Sequence, residues 1–268
     1  MYLSQVRATA FVLLLCLLGC GAKQTPAAVQ PEPIKSAGPL IELLPPGPKL
    51  VVQARPERLM RAEAARAFWR LLVTEGREAA FRARTGVDPL QVEELVVIEV
   101  GERGYLLLAR GPFDAVEVVR SAGSRLAVRE VETNTPVLRR EGLAGTGRFA
   151  YAVLDPHTLL VAKDTQPALV AAVLARLGDT HAPRVLDHPD AEALYEKHQA
   201  APFLMIAPRR LTFPPDSALS VLLAEERALA ISVEPSDRAL DVILGMRGVF
   251  PDGIENNLRT WAKSLGTS

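Results

Sequence analysis

Three regimes of hydrophobic patterning follow one another along the chain. Residues 8–19 form an uncharged apolar run containing Phe11 to Leu18, prolines then recur at 26, 31, 33, 39, 45, 46 and 48, and from Lys49 onward short apolar segments alternate with polar turns. Within the third regime "KLVVQAR" (49–55) has the length and β-branched content of a strand. Residues 57–85 place Met60, Ala64, Ala67, Phe68, Leu71 and Leu72 on one helical stripe, with a break near Gly76. Strands are expected at 92–100 and 104–111, joined by the turn "GERG", and a helix at 113–122. Four more strands, at 126–131, 136–140, 148–154 and 158–163, are separated by the turn chemistry of "TNT" and "DPHT" and precede a helix at 166–177. The remaining elements are a strand at 202–209, a helix at 216–226, a hairpin of 228–234 with 238–248 across "PSD", and a helix at 253–265.

The order β-α-β-β-α therefore occurs twice, and local sequence repeats with it. "LLLARGPFDAVEVV" (106–119) aligns with "VILGMRGVFPDGIENNL" (242–258) through Arg-Gly, Phe and Asp, with one single-residue gap. "QARPERLM" (53–60) resembles "IAPRRLTF" (206–213). In the second hairpin Leu229, Ile231 and Val233 alternate with Ala230 and Ser232, and Leu240, Val242, Leu244 and Met246 recur at every second position. That period places large apolar side chains on one face of a strand. The expected fold class is α+β, a mainly antiparallel sheet with helices packed on one face, built from a duplicated β-α-β-β-α unit. The expected organisation is a leader at 1–19, a tether at 20–48, a first unit with inserted hairpins at 49–179 and a second unit at 180–268.

Charge and cysteine content narrow the chemistry. Thirty-one basic and thirty-one acidic residues cancel, so no long-range field draws in nucleic acid, which is excluded as an expected partner. The two cysteines are Cys16 and Cys20, which leaves the folded body without a disulfide or a thiolate metal site. Aromatics at 5% supply little surface for base stacking or carbohydrate binding, and Trp69 and Trp261 fall at helical positions suited to a core.

The apolar run at 8–19 reaches only about 18 Å as a helix, short of the ~30 Å hydrocarbon core, and so reads as a signal peptide. It ends in Leu17-Leu18-Gly19-Cys20, which resembles the lipobox of bacterial lipoproteins, with a leucine three before and a small residue directly before the cysteine. The resemblance implies cleavage between Gly19 and Cys20, diacylglycerol on the Cys20 thiol and acylation (palmitate) of the new terminus. Leu18 is bulkier than the alanine or serine usual at its position, and Gly21 stands where an aspartate often signals retention in the inner membrane. The implied location is the cell envelope, lipid-anchored, leaning to the outer membrane and facing the periplasm or the cell surface. Membrane lipid, through acylated Cys20, is the expected partner, with an envelope protein as a second. The prolines after Cys20 remove backbone donors and favour extended chain, so 21–39 is a semi-rigid spacer able to reach roughly 60 Å.

Beyond that address the residues carry little recognisable chemistry. Phosphate-loop, nucleophile-elbow, zinc-helix and calcium-loop patterns are absent from the sequence; "GLAGTG" (142–147) lacks a lysine and runs into a strand, so it reads as a hairpin connection. The one concentration of ligating residues, "HAPRVLDHPDAEALYEKH", holds His181, Asp187, His188, Asp190, Glu192, Glu196 and His198. Glu192 and Glu196 share a helical face, which makes His188, Glu192, Glu196 and His198 the candidate metal ligands. The same residues also describe an ordinary helix start, proline first and acids in the first turn, and this second reading is preferred: no metal or other cofactor is expected. Arg139-Arg140 and Arg209-Arg210 read as solvated rims. Three roles stay open, in this order: a lipid-anchored, non-catalytic docking or structural protein, a carrier or sensor of an apolar small molecule, and an enzyme with no recognisable motif.

Overall fold

The structure, a computed structural model, describes residues 38–66, 75–76, 78–79, 88–100, 104–123, 127–130, 137–144, 147–177, 184–209, 226–236, 239–248, 250, 253–256 and 259. The apolar leader, most of the helix expected at 57–85, the helix at 216–226, much of that at 253–265, His181, Arg210, Trp69 and Trp261 lie outside them.

Among the described residues ten strands form one antiparallel sheet: β1 (Val51–Ala54), β2 (Glu94–Val100), β3 (Gly104–Arg110), β4 (Ala127–Glu130), β5 (Arg139–Ala144), β6 (Gly147–Asp155), β7 (Thr158–Lys163), β8 (Phe203–Ala207), β9 (Glu226–Pro235) and β10 (Leu240–Gly248). Their spatial order is β10-β9-β8-β1-β2-β3-β7-β6-β5-β4. The helices are α1 (Pro56–Leu59), α2 (Ala115–Gly123), α3 (Pro167–Ala175) and α4 (Pro189–His198), with short 3-10 turns at Leu40–Leu43 and Pro89–Gln91. Strands β3 (GYLLLAR) and β7 (TLLVAK) are buried nearly throughout, as near-continuous apolar runs must be when both faces of a sheet are covered. Helix α2 begins where Asp114 Oδ1 accepts the Glu117 backbone N–H at 3.0 Å, an N-cap that satisfies a donor with no partner inside the helix.

The α+β class and the antiparallel sheet agree with the sequence pattern, but the helices divide between two faces. One core joins Val96, Ile98, Leu106, Leu108, Leu160 and Leu204 to α3 and α4; the other joins Val97, Leu107, Leu159 and Val161 to Ala115, Val118 and Val119 of α2. Successive side chains of a strand point to opposite faces, so central strands this apolar need cover on both. A second correction concerns the tether. Leu40, Ile41, Leu43 and Leu44 are buried in the first core, and Val185 N donates to Leu44 O at 3.2 Å. The segment expected to end the spacer is therefore core. A third concerns Arg139, which is buried and pairs with Glu141, while Arg140 donates to the Arg120 carbonyl. Neither belongs to a solvated rim.

The strands of both expected units lie in the one sheet, and their register repeats. Matching Gln53 with Ile206, as "QARPERLM" and "IAPRRLTF" do, equates Val51 with Leu204; β1 and β8 pair Val51 with Ile206 and Gln53 with Leu204, so exchanging the units leaves the pairing unchanged. Outward from the seam, Val51 pairs with Ile98 and Leu204 with Ser232. Ile98 then pairs with Leu106, and Ser232 with Ile243. Counting on from Leu106 and Ile243 equates Arg110 with Arg247, the same match that the Arg-Gly alignment makes. Hydrogen-bond register and sequence similarity thus reach one correspondence by independent routes, and β3-β2-β1 faces β8-β9-β10 across an approximate two-fold axis.

A core that runs unbroken through β1 and β8 unfolds as one cooperative unit. Leu108→Ala, in the first unit, and Leu204→Ala, in the second, are each expected to lower stability by about 2–5 kcal/mol and to shift the same single urea transition followed by circular dichroism. Two separable transitions, each moved by one variant only, would contradict the continuous core.

Candidate functional site

The residues singled out by the sequence converge on α4, which crosses β8, β9 and β10. Proline at its first position pre-sets the helical φ, and His188, its N-cap, makes no side-chain cap bond. Ala191, Leu194 and His198 face the sheet, whereas His188, Glu192 and Glu196 are exposed. The candidate ligands are therefore separated: His198 lies inside and the two glutamates point to solvent. Asp190 pairs with Arg227 at 3.6 Å and Asp187 with Arg184 at 3.4 Å. Among the described residues no group of three or more His, Cys, Asp or Glu is placed to hold a metal ion.

His198 instead packs on the sheet. It is 4% exposed, its Nδ1 lies 3.0 Å from Ser232 Oγ on β9, and its Nε2 is buried with no hydrogen-bond partner. A Cβ on Gly245 of β10 would come within 2.7 Å of that Nε2 and 3.0 Å of Leu194 Cδ2. The helix thus rests on Ala228, Ala230, Ser232 and Gly245, the small residues of the hairpin. This reverses the expected face: the large residues Val242, Leu244 and Met246 share the other side with Leu229, Ile231 and Val233. Small residues let helix and strand backbones approach closely, and the steric argument overrides the apolar stripe. Burial, and then the Lys197 charge, hold the imidazole below its ordinary 6.5, with Glu234 opposing weakly.

A second polar group lies on the same side of the sheet. Gln53, 2% exposed on β1, donates from Nε2 to Glu94 Oε1 at 2.8 Å. Glu94 Oε2 is 3.6 Å from Arg110 Nη1, and Arg110 donates from Nε to Thr158 Oγ1 at 3.2 Å. Glu94, Arg110 and Thr158 stand directly opposite one another on β2, β3 and β7. Arg110 also donates from Nη2 to the Gly38 carbonyl at 2.8 Å, so this ladder also holds the segment leading into the buried Leu40. Tyr195 of α4 lies above it; burial and then the Glu94 carboxylate push the phenol above its ordinary value, against the pull of Arg55. Arg55 donates to the Gln199 and Ala201 carbonyls at 2.6 and 2.9 Å and so satisfies acceptors left open at the end of α4.

Sequence reasoning missed Gln53, Glu94, Arg110, Ser232 and Gly245. One signal was available: Glu94 and Arg110 each stand eight residues from Glu102 of "GERG", which puts them opposite each other in the hairpin. Beside the end of α4 a cleft of ≈ 460 Å³ opens to solvent between Arg58, Arg61, Pro202 and Glu234. Arg61 in this cleft is bound to Glu57 at 2.7 Å. Glu94 and Arg110 hold each other and their neighbours, an arrangement that locks elements together rather than presenting a poised base or nucleophile.

The unfolded chain binds a proton on His198 before the folded chain does. The stability contributed by the neutral imidazole is present above pH 6.5 and is lost as pH falls below it, levelling once the folded-state group is protonated. In denaturant titrations His198→Gln is expected to show a shallower loss of stability between neutral and mildly acid pH than the parent; equal slopes would exclude His198 as the source. Gly245→Ala is expected to cost about 1–3 kcal/mol through overpacking against His198 and Leu194, read as a lowered Tm.

No family model matches the chain, and no curated protein matches it. Among solved structures it is similar to the Treponema protein TP0453: crystal form III at a TM-score of 0.50 and 10% identity, covering 87% of this chain and 86% of that one, and crystal form I at 0.50 and 11%, covering 84% and 85%. At such identity the likeness is one of fold, and it extends over both halves of the sheet.

Proposed function

We propose that this chain is a cell-envelope lipoprotein, anchored through diacylglycerol on Cys20, whose folded body serves a non-catalytic docking or structural role. The observation that carries the reading is the sequence Leu17-Leu18-Gly19-Cys20 at the end of the short apolar run, followed at once by the proline-rich spacer. The anchor suits the way the spacer joins the fold. Gly38 is held by Arg110, and Leu40 to Leu44 are sunk in the core, so a pull on the spacer is borne by the central strands. Among the described residues no helix is long and apolar enough to cross a membrane, and in this reading the acyl chains supply the attachment. Several chains, at about 0.8 kcal/mol per buried methylene, make a lasting one. Gly21 after the cysteine favours the outer membrane.

The test is metabolic labelling in a bacterial host. The parent chain is expected to incorporate labelled palmitate and to sediment with membranes, and Cys20→Ala to lose the label and appear in the soluble fraction. Continued labelling of the variant would refute Cys20 as the attachment point.

A further inference from the structure

We infer that the outer edge of β10 is a self-association surface, and that two copies of this chain pair their β10 strands antiparallel about Leu244. The two-fold correspondence of the units sets the problem. β10 is the counterpart of β3, and Val242, Ile243 and Leu244 are the counterparts of Tyr105, Leu106 and Leu107. On β3 these residues are 4%, 0% and 5% exposed, because β7 pairs along the strand. On β10 they are 66%, 39% and 39% exposed, and no described strand pairs with the outer edge. A nine-residue edge with three consecutive exposed apolar side chains invites another strand. The usual protections against such pairing, lysine or proline within the strand, are absent from "LDVILGMRG".

The charges on β10 choose the occupant. The strand carries one acid, Asp241, and one base, Arg247, both exposed. Within the chain Asp241 stands opposite another acid, Glu234, and Arg247 opposite Ala228. A two-fold axis normal to the sheet and passing beside Leu244 sets Asp241 of each copy opposite Arg247 of the other, forming two ion pairs. It also places Ile243 opposite Gly245, Val242 opposite Met246, and Leu244 opposite itself. On one face Val242, Leu244 and Met246 of both copies then make a continuous apolar row; on the α4 face the ion pairs flank the Ile243 contacts. Moving the centre by one residue either way opposes Asp241 to Gly245 or carries it past Arg247, so a single register satisfies both charges. The outcome is a second copy bound by β-augmentation, with main-chain hydrogen bonds for attraction and charge for register. This inference concerns the folded body and stands whether or not Cys20 is acylated.

The full chain, purified in mild detergent, is followed by sedimentation equilibrium over a concentration series. A monomer–dimer equilibrium is expected. Asp241→Arg alone and Arg247→Asp alone each bring like charges together and are expected to weaken self-association at least about tenfold. An equimolar mixture of the two variants restores both ion pairs, so it is expected to form a heterodimer at least as tight as the parent dimer, which also shows that each variant is folded. A parent that stays monomeric throughout, a dimer indifferent to both reversals, or variants that fail to associate on mixing while retaining the parent's circular dichroism would each overturn the proposal.

Discussion

The structure depends on a four-residue strand. β1 is hydrogen-bonded on one side to β2 and on the other to β8, and through it alone the two halves of the sheet become one. So short a strand forms few ladder bonds, and its neighbours reinforce it. Arg55, the next residue, ties to the carbonyls at the end of α4, and Gln53 within it ties to Glu94 and so to Arg110. A partly buried carboxylate is tolerated only where its charge is met. Glu94 therefore fixes the positions of β1 and β3 relative to β2 more stringently than an apolar side chain at the same place would.

Much of this was legible from the sequence. The strands at 104–110 and 158–163 stood out because runs such as "YLLLA" and "TLLVA" are too apolar and too short for anything but a covered strand, and Asp114 marked a helix start that its N-cap bond bears out. The duplication was legible because Arg-Gly-x-Phe and its counterpart survive at turns, where backbone geometry restricts the choice of residue. Which face the helices take was not. The alternation at 229, 231 and 233 shows where large side chains go, whereas α4 selects the face of Ala228, Ala230 and Ser232, since a helix approaches closest where side chains are smallest. The placement of His198 followed from that choice. Its spacing from Glu192 and Glu196 is compatible with one polar cluster, but a helix resting on the sheet turns inward at 191, 194 and 198 and sends both glutamates to solvent. Nor did prolines at 45, 46 and 48 reveal that Leu40 to Leu44, just before them, lie in the core: composition reads a window, whereas burial is decided residue by residue.

The two halves share strand order and register but differ in surroundings. In the first unit β7 follows β3 and carries the sheet onward through β6, β5 and β4; in the second the described sheet stops at β10. The same strand pattern is therefore core in one half and surface in the other. The exposed Val242, Ile243 and Leu244 are residues of a kind that the fold elsewhere buries, placed at an edge that no described strand pairs with.

An interface between two such edges is small, and small interfaces are weak in dilute solution because association must offset lost translational and rotational freedom. Attachment to a membrane alters that balance. If the chains are anchored as proposed, bodies on a spacer of roughly 60 Å share a thin layer, and their effective concentration exceeds that in dilute solution. The grip of Arg110 on Gly38 keeps that end of the spacer fixed relative to the sheet. A modest strand-to-strand attraction is then sufficient, and the register set by Asp241 and Arg247 limits it to closed pairs: once two copies share an edge, neither offers a second β10, and the association stops at two.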